Sequence, residues 1–229
     1  MAYNPQEQEQ IDELKALWAK YGNLLLALVT IALFAYAGVK GWAWYQARQA
    51  AAASGAYSQL TAAIEAKDLE KIRATSKAVM SDYGGTVYGQ MAGLVAARGL
   101  HDGKDLAGAK QSLQWVVDKA PDAEFRLLAR LRLAGLLLDE KRYDDALSML
   151  ATPELEAAAA ELKAAFAERA GDIQYARGKG EDAKAEYEKA LGLLNPGSAL
   201  RAGIELKRDT ALLPVPDATS VAASPAAAK

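Results

Sequence analysis

The chain lacks cysteine altogether and has only one histidine among its 229 residues. Without cysteine there is no disulfide framework and no thiolate ligand for zinc, so the fold must be held together by packing alone. A charge excess is also missing, since the formal net charge is −2. Nucleic-acid-binding proteins usually concentrate a basic excess on one face, so no nucleic acid is predicted as a partner.

A catalytic site is not indicated by the remaining polar residues. The single histidine, His101, stands in "GLHDGKD", which is typical of a solvent-exposed helix end. Acidic pairs such as Asp144 and Asp145 are expected in the first turn of a helix, where the helix dipole favours them. The glycines of "YGGTVYGQMAG" do not have the spacing of a phosphate-binding loop. We therefore predict a protein that is not an enzyme, with no catalytic residue, cofactor or metal.

One long apolar run dominates the first quarter of the chain. Residues 21–39 contain no charge and no proline, and at about 1.5 Å per residue a helix of this length nearly spans the hydrocarbon layer of a bilayer. Aromatic residues, which prefer the headgroup region, stand at both ends: Trp18 and Tyr21, then Trp42, Trp44 and Tyr45. The sequence predicts a transmembrane helix over residues 21–45, with the lipid bilayer as its partner.

Two other interpretations of this run are weaker. A buried core helix does not require such length or aromatic ends. A cleaved signal has small residues close behind its apolar part, but here Lys40, Tyr45 and Arg48 come before "AAAAS", and the leader is acidic rather than basic. A permanent anchor is predicted. Its orientation is left open, because the basic residues before and after the run are equal in number.

The rest of the chain is alanine-rich and favours helix. Three segments align on an alanine at a spacing of 37 residues, namely Ala109, Ala146 and Ala183. Twelve residues before each stands a small residue: Ala97, Ala134 or Gly171. Four residues after each stands a bulky one: Leu113, Leu150 or Tyr187. Small residues let two antiparallel helices approach closely, and bulky residues fill the groove between successive pairs.

This pattern resembles the tetratricopeptide repeat, most closely in "AGDIQYARGKGEDAKAEYEKAL". The resemblance implies an all-α fold in which helix pairs stack into an α-solenoid. The usual period is about 34 residues, so the extra residues are expected in the turns between repeats. Pro153 is expected to end the second helix of the middle repeat early.

Residues 56–82 are predicted to form an atypical first helix pair, broken near Lys67 and Asp68, and residues 197–213 one closing helix. The predicted organisation is therefore a cytoplasmic segment (1–20), the transmembrane helix (21–45), a repeat domain (46–213) and an alanine- and proline-rich tail (214–229) that is too poor in apolar bulk to fold.

The leader and span, "DELKALWAKYGNLLL" followed by "GWAWYQ", together with degenerate repeats, resemble the YfgM family of ancillary SecYEG translocon subunits. The resemblance implies a single-pass protein of the bacterial inner membrane with a cytoplasmic amino terminus and a periplasmic repeat domain. Its implied partners are SecYEG, a PpiD-like membrane-anchored chaperone and unfolded polypeptides in translocation, which it helps to pass to periplasmic chaperones. The alternative is a membrane-anchored repeat scaffold for another envelope assembly, such as cytochrome maturation or cell-wall synthesis.

A partner-binding groove is expected on the concave face, which the first helix of each repeat lines in the usual solenoid geometry. The repeat register places ten residues there: Met91, Leu94, Arg98, His101, Leu128, Gly135, Leu138, Glu168, Asp172 and Tyr175. The apolar members of this set fit the core equally well.

Overall fold

The structure is a computed structural model, and it describes residues 5–214 of the chain, with side chains from residue 10 onward. Within this range every regular element is helical, as the sequence predicts. The α-helices are α1 (Pro5–Glu65), α2 (Leu69–Tyr83), α3 (Val87–Asp102), α4 (Leu106–Lys119), α5 (Ala123–Asp139), α6 (Tyr143–Leu150), α7 (Ala160–Ala176), α8 (Gly180–Leu193) and α9 (Arg201–Thr210). A short 3₁₀ helix covers Pro153–Ala157. The chain divides into two compact units, Met1–Ala52 and Ala53–Lys229.

The first compact unit contains the apolar part of α1. Its large apolar side chains are exposed along the whole run; Phe34, for example, is 75% exposed. Thr30, a polar residue inside the run, donates its hydroxyl to the backbone oxygen of Leu26 at 2.7 Å, so it needs no water. Of the described helices, α1 alone is long and apolar enough to cross a membrane.

Cations lie over aromatic rings at both ends of this run. Lys20 Nζ is 5.3 Å from the centre of the Tyr21 ring, and the Arg48 guanidinium is 5.5 Å from the Trp44 ring. Such pairs suit a membrane interface, where the ring faces the lipid and the cation reaches water. The local geometry of α1 therefore agrees with the predicted anchor.

Helix pairs joined by one recurring turn make up the second compact unit. In each turn a single residue has a left-handed backbone: Lys67 (φ 54°), Lys104 (φ 66°), Lys141 (φ 61°) and Gly178 (φ 77°), spaced 37 residues apart. Around Lys104, the Asp105 amide donates to the Leu100 oxygen and the Lys104 amide to the His101 oxygen, both at 2.8 Å. These are the two bonds of a Schellman motif, and they recur in the other three turns.

The small and bulky positions of the repeats are buried as predicted. Ala109, Ala146 and Ala183 have no exposed surface. At the third repeat, a Cβ on Gly171 would lie 2.5 Å from the Tyr187 ring, so only glycine fits opposite that ring. The close approach of paired helices therefore depends on these small residues.

The first helix pair has the same turn but the opposite side-chain pattern. The positions that are small, small and bulky in the three repeats are Leu60, Ile72 and Ser76 in this pair, and all three are at most 2% exposed. The predicted break near Lys67 is confirmed. The large side chains stand at the first two positions and the small one at the third, so the interface between the helices is still filled.

The hydrophobic core extends along the stack of helices and is not concentrated at one centre. One cluster of buried apolar residues extends from Leu60 near the end of α1 to Ile173 of α7, and a second lies among α7, α8 and α9. Each helix pair thus buries its apolar surface against its neighbours, as in an α-solenoid.

Two expectations about the connections have different outcomes. Residues 120–122 alone join α4 to α5, so the expectation that the extra residues lie in this inter-repeat turn is wrong. They lengthen the helices there, since α3 has 16 residues and α4 has 14. Between α6 and α7 the expectation is confirmed, because residues 151–159 form a longer connection. The early end of the middle repeat is confirmed, because α6 has only eight residues and Pro153 begins the 3₁₀ helix. Proline lacks the amide that would continue an α-helix.

The closing helix is shorter than expected, with α9 covering ten of the residues from 197 to 213. The predicted tail lies outside the described residues except for Pro214, and residues 1–4 of the leader lie outside them as well. The domain boundaries at 20 and 45 fall within α1 and remain predictions.

Candidate partner-binding cleft

A cleft of about 400 Å³ opens between the first helices of the three repeats. It is lined by Leu94, Ala97, Arg98 and His101 of α3, Leu113 of α4, Arg132, Gly135, Leu136 and Asp139 of α5, and Arg169 of α7. Leu94, Ala97 and Leu113 are at most 5% exposed, so they form an apolar floor. A volume of this size fits a few side chains of a bound polypeptide rather than a folded domain.

Three arginines surround this floor. Arg132 Nη1 donates to the Leu94 backbone oxygen at 3.3 Å, which draws its guanidinium across from α5 to α3. Burial, together with the charge of Arg98, lowers the pKa of Arg132. The cleft therefore carries positive charge that its own lining neutralises only in part, through Asp139.

The third arginine, Arg169, lies next to Gly135. A Cβ at this position would be 3.7 Å from Cζ of Arg169, so the guanidinium lies directly over the α5 backbone. Arg132 and Arg169 are 37 residues apart and hold the same position in successive repeats. The stacking of the repeats thus brings two equivalent arginines to one cleft.

The predicted groove residues are divided between several environments. Four of the ten, Leu94, Arg98, His101 and Gly135, line the cleft. Met91, Leu128 and Leu138 are half-buried, and the last two pack against the main core. His101 is at the end of α3 with its side chain 46% exposed, as expected for a helix-end residue.

The other three predicted residues, Glu168, Asp172 and Tyr175, face the closing helix. Lys207 of α9 binds Glu168 Oε1 at 2.6 Å and Asp172 Oδ1 at 2.9 Å. The Tyr175 hydroxyl donates to the Pro214 oxygen at 3.5 Å. In the third repeat, α9 therefore contacts residues that were predicted to bind a partner.

The charges beneath α9 are balanced within the protein. Burial opposes the charge of Lys207, but the hydrogen bonds that its ammonium donates to Glu168 and Asp172 outweigh burial, and the pKa of Lys207 is raised. Tyr187 donates its hydroxyl to Asp172 at 3.0 Å. Burial and the carboxylate of Asp172 raise the pKa of Tyr187, so this tyrosine stays neutral. These contacts explain why α9 stays docked.

The sequence prediction missed Arg132, Arg169 and Asp139. The predicted register followed small and apolar residues along the first helices and gave no weight to charge. The spacing of 37 residues between the two arginines was the signal that could have found them.

A model of the tetratricopeptide repeat-like domain family matches residues 15–212. A protein of Neisseria gonorrhoeae named ancillary SecYEG translocon subunit is 31% identical over 219 residues, which cover 92% of this chain and 99% of that one. The chain belongs to the family of ancillary SecYEG translocon subunits. Because the match begins within α1, it includes the apolar helix together with the repeats.

Further relatives carry the same name. The protein of Haemophilus influenzae is 27% identical, over 83% of this chain and 91% of its own length. The protein of Escherichia coli is also 27% identical, over 81% of this chain and 87% of its own length. No solved structure matches the chain.

Proposed function

We propose that this protein is an ancillary subunit of the SecYEG translocon, anchored in the inner membrane by residues 21–45. Its amino terminus is cytoplasmic and its repeats are periplasmic, where they receive translocated polypeptides and pass them to periplasmic chaperones, including a PpiD-like membrane-anchored one. The observation that carries the proposal is the similarity to the Neisseria gonorrhoeae protein named ancillary SecYEG translocon subunit, over 99% of that protein's length.

Two features of the protein support this role. The exposed apolar run of α1 gives a membrane anchor, and the cleft gives a place for part of a polypeptide chain. Anchoring confines the repeats to the membrane surface, where a high effective concentration makes even weak contacts useful. Handing over a chain requires such transient contacts rather than a tight complex.

A non-catalytic role is part of the proposal. His101 Nδ1 is 3.7 Å from Asp102 Oδ1, which is too long for a hydrogen bond, and the histidine is exposed at a helix end. Within the described residues no group of three or more histidines and acids is placed to hold a metal ion. Turnover of a substrate that was lost in His101→Ala would contradict this part of the proposal.

Photocrosslinking in cells tests the choice of partner. A photoreactive residue replaces Tyr36, which is 63% exposed in the apolar run, or His101 at the cleft. The same residue at Asp118, exposed on α4 outside the cleft, is the control. We expect SecYEG or PpiD-like chaperone adducts from Tyr36 and unfolded polypeptide adducts from His101. Adducts only with enzymes of cytochrome maturation or cell-wall synthesis would favour the scaffold alternative.

The absence of cysteine permits a clean test of orientation. Single cysteines are introduced at Asp12 and Asp118, and intact cells with a permeabilised outer membrane are treated with a membrane-impermeant maleimide. The proposed orientation predicts labelling at position 118 and protection at position 12 until the inner membrane is lysed. The opposite pattern would place the repeats in the cytoplasm.

A further inference from the structure

The three arginines of the cleft lack strong ion-pair partners within the described residues. Arg98 Nε is 3.9 Å from Asp102 Oδ2, and the Arg98 side chain is 84% exposed. Arg169 Nη1 is 3.6 Å from Asp172 Oδ2, a carboxylate that Lys207 and Tyr187 already contact at 2.9 and 3.0 Å. Arg132 contacts a backbone oxygen rather than a carboxylate. The guanidinium groups are thus free to bind another anion.

One of these arginines has an unsatisfied donor. Nε of Arg169 is buried and has no hydrogen-bond partner among the residues that the structure describes. A buried donor without a partner costs free energy, which an acceptor entering the cleft would recover. Burial and, after it, the charge of Arg98 lower the pKa of Arg132. A carboxylate placed between Arg98 and Arg132 would oppose that repulsion.

Below the arginines the floor is apolar. Leu94, Ala97 and Leu113 are nearly fully buried yet reach the cleft surface. A free inorganic anion would leave uncovered the half-buried Leu136, which also lines the cleft. A polypeptide segment in which an acidic residue stands next to an apolar one would cover the floor and neutralise the arginines together.

We propose that the cleft binds unfolded polypeptide through an acidic side chain, held by Arg98, Arg132 and Arg169, with an adjacent apolar side chain on Leu94 and Leu136. This inference rests on the proposed function, because it specifies which segments of a translocated polypeptide the repeats select. It commits to an aspartate or glutamate side chain within a chain, as distinct from a chain terminus or a lipid headgroup.

The test uses the full chain in nanodiscs of phosphatidylcholine, which has no net charge. The probe is a peptide with both ends capped, a neutral fluorophore, and the central sequence Leu-Glu-Leu between glycines and serines. A second peptide has glutamine in place of glutamate, and a third has glutamine and a free terminal carboxylate. Fluorescence anisotropy gives Kd for each. We expect the glutamate peptide to bind about tenfold more tightly than either of the others, by a margin that falls as salt is added.

Matched variants connect this preference to the cleft. Gly135→Leu fills the space beneath Arg169, whereas Gly135→Ala places its Cβ at an ordinary contact distance of 3.7 Å from Arg169 Cζ. Both replace a glycine inside a helix by a better helix former, so both should fold. The glutamate preference should be lost in Gly135→Leu and kept in Gly135→Ala.

A second pair of variants tests charge. Arg132→Gln should abolish the preference, whereas Lys71→Gln removes one exposed positive charge outside the cleft and should leave it intact. Equal Kd values for the glutamate and glutamine peptides would overturn the inference, as would a preference that survives both Arg132→Gln and Gly135→Leu. Equally tight binding of the third peptide would assign the cleft to chain termini and would also overturn it.

Co-purification with SecYEG is measured on the same wild-type protein. Retained co-purification without a glutamate preference would refute the inference and leave the proposed function standing. Loss of SecYEG together with an intact glutamate preference would refute the proposed function and leave the cleft as an acidic-peptide site of other purpose.

Discussion

Asp105 links two helices through both of its carboxylate oxygens. Oδ1 accepts the Gly108 amide at 3.0 Å and so caps α4, while Oδ2 accepts Arg73 Nε of α2 at 2.8 Å. The bond from the Gly108 amide, followed by the bond from Arg73, lowers the pKa of Asp105. One residue thus ends a repeat turn, begins a helix and connects the first helix pair to the first repeat.

We expect Asp105→Ala to lower the free energy of unfolding by about 1–2 kcal/mol, because the cap is lost. Asp105→Asn keeps a capping oxygen and should cost less at neutral pH. The folded pKa of Asp105 lies below the unfolded value, so its charge stabilises fully above about pH 4 and this contribution is lost as the pH falls through the folded pKa. Urea unfolding followed by circular dichroism should show wild type and Asp105→Asn converging in acid. A constant difference at every pH would contradict this.

The left-handed backbone of Lys141 is sterically unfavourable, because its Cβ atom lies close to the backbone. The equivalent position in the last repeat turn is Gly178, for which a positive φ is free of strain. Lys141→Gly should therefore raise the free energy of unfolding by about 0.5–1 kcal/mol. Lys141→Ala removes the charge but keeps the Cβ, so it should show no such gain in the same unfolding measurement. Equal effects of both would assign the change to charge.

Among the elements, α9 has a lysine that binds two carboxylates of α7. Lys207→Met would leave the half-buried carboxylates of Glu168 and Asp172 without their cation. We expect a loss of about 1–2 kcal/mol, modest because the lysine side chain is 40% exposed. Lys207→Arg keeps the charge and should lose less.

The pH dependence of this contact has the opposite sign to that of Asp105. The pKa of Lys207 is raised by folding, so its stabilisation is complete below about pH 10.4 and is lost as the pH rises through the folded pKa. Thermal unfolding of wild type and Lys207→Met should therefore differ at neutral pH and converge in strong alkali. A Tm difference that persists there would show that α9 depends on the lysine stem rather than its charge.

For the whole molecule, the repeat register was predictable from the sequence because it rests on local volume. The alanines at 109, 146 and 183 marked three helix pairs, and all are fully buried. The pattern of small and bulky side chains does not reveal the first helix pair, because Leu60, Ile72 and Ser76 reverse it. The turns, with lysine or glycine every 37 residues, extend it to Lys67.

The cleft was only partly predictable. Its floor and Gly135 follow from helical register. The position of Arg169 over α5 and the bond from Arg132 to α3 depend on how successive helix pairs stack, which one sequence does not specify. For the same reason the docking of α9 on Glu168 and Asp172 was not anticipated.

Removal of residues 1–49 should leave a soluble helical domain, because the buried core begins at Ala53. The fragment is expected to keep its helical circular dichroism and to unfold cooperatively. Loss of helicity would mean that α1 residues before position 50 are needed for folding. A matched fragment that begins at residue 66 lacks Leu60 and Ala63 and should be clearly less stable.

The interruption at Pro153 gives the array an uneven resistance to opening. In a linear array each helix pair is stabilised mainly by its neighbours. Local unfolding therefore starts at the pair with the shortest helix. Here that pair is α5 with α6, since α6 has two turns and no side-chain cap. Backbone amides of α6 should exchange with deuterium sooner than those of α4 or α8. Local unfolding would thus begin beside α5, the helix that contains Arg132. The cleft would then open around a bound polypeptide while the rest of the domain stays folded.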